Sequence, residues 1–178
     1  MNRIKAALLS LSVAGLLAIA GFEGFSDKVY IPVPGDLPTV GFGHADPRLT
    51  IGERISKQQA VDFLSQDVQD AQRAVQNCVH VPLTQFEFDA YVSFAYNVGE
   101  RQFCSSTLVR KLNSGDYSGA CEGLKAWVYS GGVKYKGLET RRKIETLICK
   151  TGQYPETPTW LKHFQSQFVG KQNDSNSQ

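Results

Sequence analysis

The sequence predicts an α+β fold with a small N-terminal β-hairpin lobe and a larger helical lobe. Three observations carry this. Residues 29–31 and 38–42 are short runs rich in β-branched and aromatic side chains, and between them Pro32, Pro34, Gly35, Asp36 and Pro38 demand a turn. From Ser56 onward, apolar residues recur at helical spacing behind capping sequences. The chain has 178 residues, 42% hydrophobic and 20% charged, which suits one globular domain with a real core and excludes disorder of the whole.

The helical part divides at its caps. Ser56 with Gln59 forms a capping box, and Leu64, Val68, Ala71 and Val75 mark one face of the helix that follows. Thr84 with Glu87 repeats the box. Phe88, Tyr91, Val92 and Ala95 come next at i, i+3, i+4 and i+7, and Gly99 offers a stop. A third helix is predicted over residues 107–113, ending at Gly115. A fourth carries Ala120, Leu124 and Trp127, and a fifth runs from about residue 138 to 149, before Gly152. No repeat or linker splits the chain, so one domain is expected over residues 16–165, followed by a polar tail at 166–178. A cleft between the two lobes would be a natural place for a polymer substrate.

Net charge is +2 and there is no run of Lys or Arg, which excludes a nucleic-acid binder. Cys78, Cys104, Cys121 and Cys149 include no CxxC pair, so neither a zinc site nor a redox motif is indicated. Their even number and wide spread fit two disulfides in an oxidising compartment, against buried thiols in a cytosolic chain. Three connectivities are possible, and spacing alone does not choose among them.

The N-terminus argues for export. Arg3 and Lys5 precede residues 6–22, which carry no charge. As a helix this segment would reach about 25 Å, short of a hydrocarbon core of about 30 Å. The positive flank places the N-terminus in the cytoplasm and the rest outside. Three readings follow: a cleaved signal peptide, supported by Ala18 and Ala20; a permanent anchor; or an anchor weak enough to leave the bilayer after export. Cleavage after Ala20 would leave Glu23 near a fraying terminus. Leu9, Val13, Leu16, Leu17 and Ala20 also suit a helix packed in a globular core. The third reading is favoured, with residues 1–22 serving as anchor and then as part of the domain.

Glu23 is the first charge after this segment, beside Phe22 and Phe25. Burial among apolar groups would raise its pKa and keep it able to donate a proton. Asp36 lies in the turn and Thr39 opens a strand. Singly, each is ordinary. Together, a carboxylic acid, a carboxylate and a hydroxyl around one hairpin mouth are the equipment for glycoside hydrolysis.

These residues carry a resemblance. Glu23-Gly24, Tyr30 and Pro38-Thr39-Val40-Gly41-Phe42-Gly43-His44 resemble the signature of phage-type lysozymes, glycoside hydrolase family 24. Phe88-Asp89-Ala90, Phe94 through Gly99, Ser106-Thr107-Leu108, Trp127, and Gly137-Leu138 with Arg141-Arg142 and Glu145 continue it, over roughly residues 16–155. The apolar N-terminus resembles that of endolysins with a signal-anchor-release segment. The resemblance implies a lysozyme-like fold and hydrolysis of the β-1,4 bond between N-acetylmuramic acid and N-acetylglucosamine, with no metal or organic cofactor. It makes Glu23 the acid and Thr39 a catalytic partner, and it assigns Tyr30, His44, Tyr96, Asn97 and Arg141 to substrate binding. Where the family usually places an aspartate two residues after the tyrosine, this chain has Pro32. Asp36, the only acid in the loop, takes that role by transfer. The preferred disulfides on this footing are Cys78–Cys104 and Cys121–Cys149. Expected partners are peptidoglycan strands and, transiently, the bacterial inner membrane, for a monomeric enzyme that then becomes periplasmic. A lytic transglycosylase and a non-catalytic, membrane-tethered peptidoglycan-binding protein are the alternatives.

Overall fold

The computed structural model describes residues 2–164, so the expected tail at 166–178 lies outside the described residues. The fold is α+β. In chain order, strand β1 (Ile4–Lys5) leads through a 3-10 turn (Ala6–Leu8) to helix α1 (Val13–Glu23). Strands β2 (Ser26–Tyr30), β3 (Thr39–Gly41) and β4 (His44–Ala45) follow, then α2 (Lys57–Cys78), β5 (Pro82–Leu83) and α3 (Gln85–Val98). Next come α4 (Glu100–Ser105), α5 (Thr107–Asn113), and α6 (Tyr117–Gly123) with a 3-10 turn at Leu124–Ala126. The hairpin β6 (Tyr129–Ser130) and β7 (Val133–Lys134), α7 (Lys136–Thr151) and α8 (Thr159–Lys162) complete it.

The contacts divide the chain into two compact units: Met1–Gly15 with Asp70–Pro155, and Leu16–Gln69 with Glu156–Gln178. The first is built on α3, whose residues 87–95 are all buried, around Phe88, Tyr91, Phe94, Phe103 and Leu108. Thr84 and Glu87 cap α3 reciprocally, and Gly99 ends it at φ 85°, a conformation other side chains resist. Both preferred disulfides form here, Cys78–Cys104 and Cys121–Cys149. Their sequence separations of 26 and 28 residues are worth about 3.5 kcal/mol each on the chain-entropy argument. β1 pairs antiparallel with β5, Ile4 opposite Leu83.

The second unit holds a three-stranded antiparallel sheet in the order β2-β3-β4. Its core includes Ile19, Ala20, Val40, Phe42, Ala60 and Leu64. At the start of α2 the Ser56 N–H donates to Gln59 Oε1 and the Gln59 N–H to Ser56 Oγ, as the capping box requires. Phe25, Phe42 and Phe164 cluster at centroid distances of 4.7–5.4 Å.

Three expectations are corrected, and some elements are new. Residues 6–22 are not one continuous helix: residues 9–12 are unwound and α1 starts only at Val13, because side chains from α2 and α3 take over the backbone bonds of that stretch. The hairpin gains a third strand, β4, after a turn at Phe42-Gly43. Trp127 falls outside a helix, since the chain tightens to 3-10 geometry at Leu124. The six-residue α4 and the β6–β7 hairpin were not foreseen, both being too short for periodicity to register.

Candidate active site

Glu23 ends α1, and Gly24 at φ 74° turns the chain into β2. The glutamate is exposed, and Phe25 beside it is 37% exposed. The apolar shield expected around Glu23 is therefore absent: the helix ends with this residue facing outward, and its buried face lies one turn earlier, at Ile19 and Ala20. An exposed carboxyl group is accessible to a polymer.

Tyr30, Asp36 and Thr39 are gathered on one hairpin. Tyr30 pairs with Thr39 across β2 and β3. Asp36 is exposed in the intervening turn, where its N–H donates to the Val33 carbonyl at 3.0 Å. Thr39 is buried, and its Oγ1 donates to the Leu37 carbonyl at 3.0 Å. That bond fixes the hydroxyl rotor and leaves the oxygen's lone pairs as acceptors. Asp46, whose N–H donates to the Pro38 carbonyl, closes the other side of the sheet. Its carboxylate is bonded to Arg48, which holds it well below the usual carboxylate range.

His44 is held by neighbours on α2. Its Nδ1 lies 3.0 Å from both carboxylate oxygens of Asp67, and its ring stacks on Phe63 at 4.2 Å. It anchors β4 to α2. In the other unit, Tyr96 is half-buried and Asn97 exposed in the last turn of α3. One turn earlier, the Ser93 carbonyl accepts from Arg141 Nη2 at 3.1 Å.

Arg141 belongs to a buried ionic group with Arg142 and Glu145. Glu145 Oε1 accepts from Arg141 Nε (3.1 Å), Arg142 Nη2 (2.9 Å) and Ser93 Oγ (2.7 Å), and Arg142 Nε lies 2.7 Å from Oε2. Arg142 also lies over the Phe94 ring at 5.0 Å. Burial pushes the Glu145 carboxyl up and the two guanidinium groups pull it back. The i, i+3 and i, i+4 spacing of Arg142 and Arg141 to Glu145 was the available signal. Asp89 is another buried carboxylate, and its motif position alone gives no sign of that burial.

A lysozyme-like α+β fold with an exposed acid ahead of a Thr-bearing hairpin defines a class of glycan-cutting proteins. Residues 20–145 match the family described as phage lysozyme. The chain is 36% identical to the SAR-endolysin of Enterobacteria phage PA-2 over 147 residues, covering 83% of this chain and 88% of that protein. Among solved structures, an endolysin from Escherichia coli O157:H7 phage FAHEc1 matches with a TM-score of 0.77 and 35% identity, covering 84% and 98% of the two chains. The muramidase domain of SpmX from Asticaccaulis excentricus matches with a TM-score of 0.73 and 32% identity, covering 80% and 98%. The chain belongs to the phage lysozyme family.

Proposed function

We infer that this chain is an endolysin, a muramidase that hydrolyses the β-1,4 bond between N-acetylmuramic acid and N-acetylglucosamine in peptidoglycan and lyses its host cell. The family match across residues 20–145, which contain Glu23 and the hairpin, carries this reading. Glu23 donates the proton to the glycosidic oxygen as charge develops on the sugar carbon. Asp36 and Thr39 hold the attacking water. A water that donates one hydrogen to Asp36 and the other to Thr39 Oγ1 keeps a lone pair free for the carbon. The fixed Thr39 rotor supports that role. The product is inverted, which requires carboxyl groups about 6.5–9.5 Å apart. Tyr30, Tyr96 and Asn97 contact the glycan, while His44 and Arg141 act mainly by holding their surroundings.

The test is mass spectrometry of digested sacculi. Reducing ends are expected, and anhydro ends would replace hydrolysis with transglycosylation. Asp36→Asn should lower the rate at least about 10²-fold. An unchanged rate would take the water-positioning role away from Asp36.

Export through residues 1–22, transient anchoring in the inner membrane and release into the periplasm as a monomer complete the proposal. The uncharged run at residues 6–22 and the SAR-endolysin relatives support it. Among the described residues no helix is long and apolar enough to cross a membrane. Recovery of a periplasmic protein with Met1 intact is the expected result, and a start at Gly21 would mean cleavage.

A further inference from the structure

The unwound stretch at residues 9–12 exposes backbone groups that a continuous helix would satisfy internally. Four of them are met by side chains from elsewhere in the first unit. Gln76 Nε2 donates to the Leu9 carbonyl and Gln85 Nε2 to the Ser10 carbonyl, both at 2.8 Å. Gln72 Oε1 accepts from the Leu11 N–H at 2.8 Å, and Asp89 Oδ1 accepts from the Ser12 N–H at 3.1 Å. Ser12 Oγ donates to Asp89 Oδ2 and accepts from the Gly15 N–H, so it caps α1 while bound to α3. Tyr154 Oη and Gln85 Nε2 fill the remaining positions around Asp89, at 2.6 and 2.8 Å. Burial pushes the Asp89 carboxyl up, and the bonds from Ser12, Tyr154 and Gln85 oppose that shift. Upstream, Arg3 forks onto both Glu87 oxygens at 2.8 and 3.0 Å and lies over the Tyr117 ring at 3.8 Å.

The fit has a steric edge. A Cβ at Gly15 would stand 2.8 Å from Asp89 Cγ and 2.9 Å from its Cβ. A Cβ at Gly21 would meet only Pro158, at 3.9 Å, an ordinary contact. In a bilayer the two positions are equivalent. Either Gly→Ala change raises helix propensity and apolarity by the same increment. There, too, the backbone of residues 9–12 must bond within a helix, because no water or side chain is available to it.

We propose that Gln72, Gln76, Gln85 and Asp89 form a receptor that captures the N-terminal segment by its unwound backbone at residues 9–12, admits it only because position 15 lacks a Cβ, and competes with the bilayer for it. This rests on the reading that the segment enters a membrane. Its occupant is the chain's own N-terminus, seen bound. Release then depends on how well this receptor is filled as well as on how weakly the segment holds lipid.

The experiment follows the full-length protein in cells, as the ratio of membrane-bound to soluble periplasmic chain, for Gly15→Ala and Gly21→Ala. Gly15→Ala should raise the ratio about tenfold over Gly21→Ala, an effect of the size overpacking produces. Equal ratios would overturn the proposal, since lipid affinity alone would then decide. Ser12→Ala should move the ratio in the same direction and Ser12→Thr, which keeps the hydroxyl, should restore it. Amide exchange of residues 9–15 in the purified soluble protein separates the two claims. If even the native chain shows no membrane-bound pool, the anchoring reading fails. The receptor then stands if Gly15→Ala speeds this exchange about tenfold relative to Gly21→Ala, and falls if it does not.

Discussion

The ionic group around Glu145 and the hairpin from Tyr30 to Thr39 handle charged side chains in opposite ways. Glu145 and Arg142 are fully buried, and the carboxylate is bonded to Ser93 and two guanidinium groups. Burying charge there is tolerated because several bonds offset the lost hydration. Glu23 and Asp36, by contrast, stay exposed at a helix end and in a short turn, and the rotor of Thr39 is fixed by the Leu37 carbonyl. The first arrangement makes a support that hardly reacts. The second leaves acids accessible to a substrate, so that stability and chemistry rest on different residues.

Substitutions should separate the two. Glu145→Ala would leave Arg141 and Arg142 facing one another in the interior. It should cost about 3–5 kcal/mol, read as a melting-temperature drop of about 10 °C, and a drop of only a degree or two would mean that Glu145 is not the keystone of this group. Cys121→Ala with Cys149→Ala, opening the bridge between α6 and α7, should cost about 3.5 kcal/mol in a denaturant titration. On the hairpin side, Asp36→Asn should leave stability within about 0.5 kcal/mol while the lytic rate falls, because the side chain is exposed and outside the core.

The smallest expected effect is a pH dependence at Glu122. Bonds from Lys125 and Lys150 hold its carboxyl at about 2, against an ordinary value of 4.5. The folded value lies below the unfolded one, so the stabilisation is present above pH 4.5 and is lost as pH falls toward 2. Exposure of this group keeps the effect slight. Glu122→Gln should flatten that part of the acid-denaturation curve, and an identical curve would show that the pairs contribute nothing.

Local signals were legible and distant ones were not. The boxes at Ser56–Gln59 and Thr84–Glu87 involve neighbours three residues apart, so sequence spacing located both helix starts. The break at residues 9–12 depends on Gln72, Gln76, Gln85 and Asp89, more than sixty residues away, and apolar periodicity continues through it unchanged. The same limit applied at Glu23. Flanking phenylalanines suggested a buried acid, but Phe25 packs on Phe42 and Phe164, and Glu23 is exposed. The pairing of His44 with Asp67 could likewise be found only in three dimensions.

Release of soluble fragments from purified sacculi by Glu23→Gln, with melting temperature and both disulfides verified intact, tests the central claim most directly. Loss of release by about 10²-fold or more is predicted for a group that supplies the proton. Release within about twofold of the native rate, from a protein equally well folded, would contradict it.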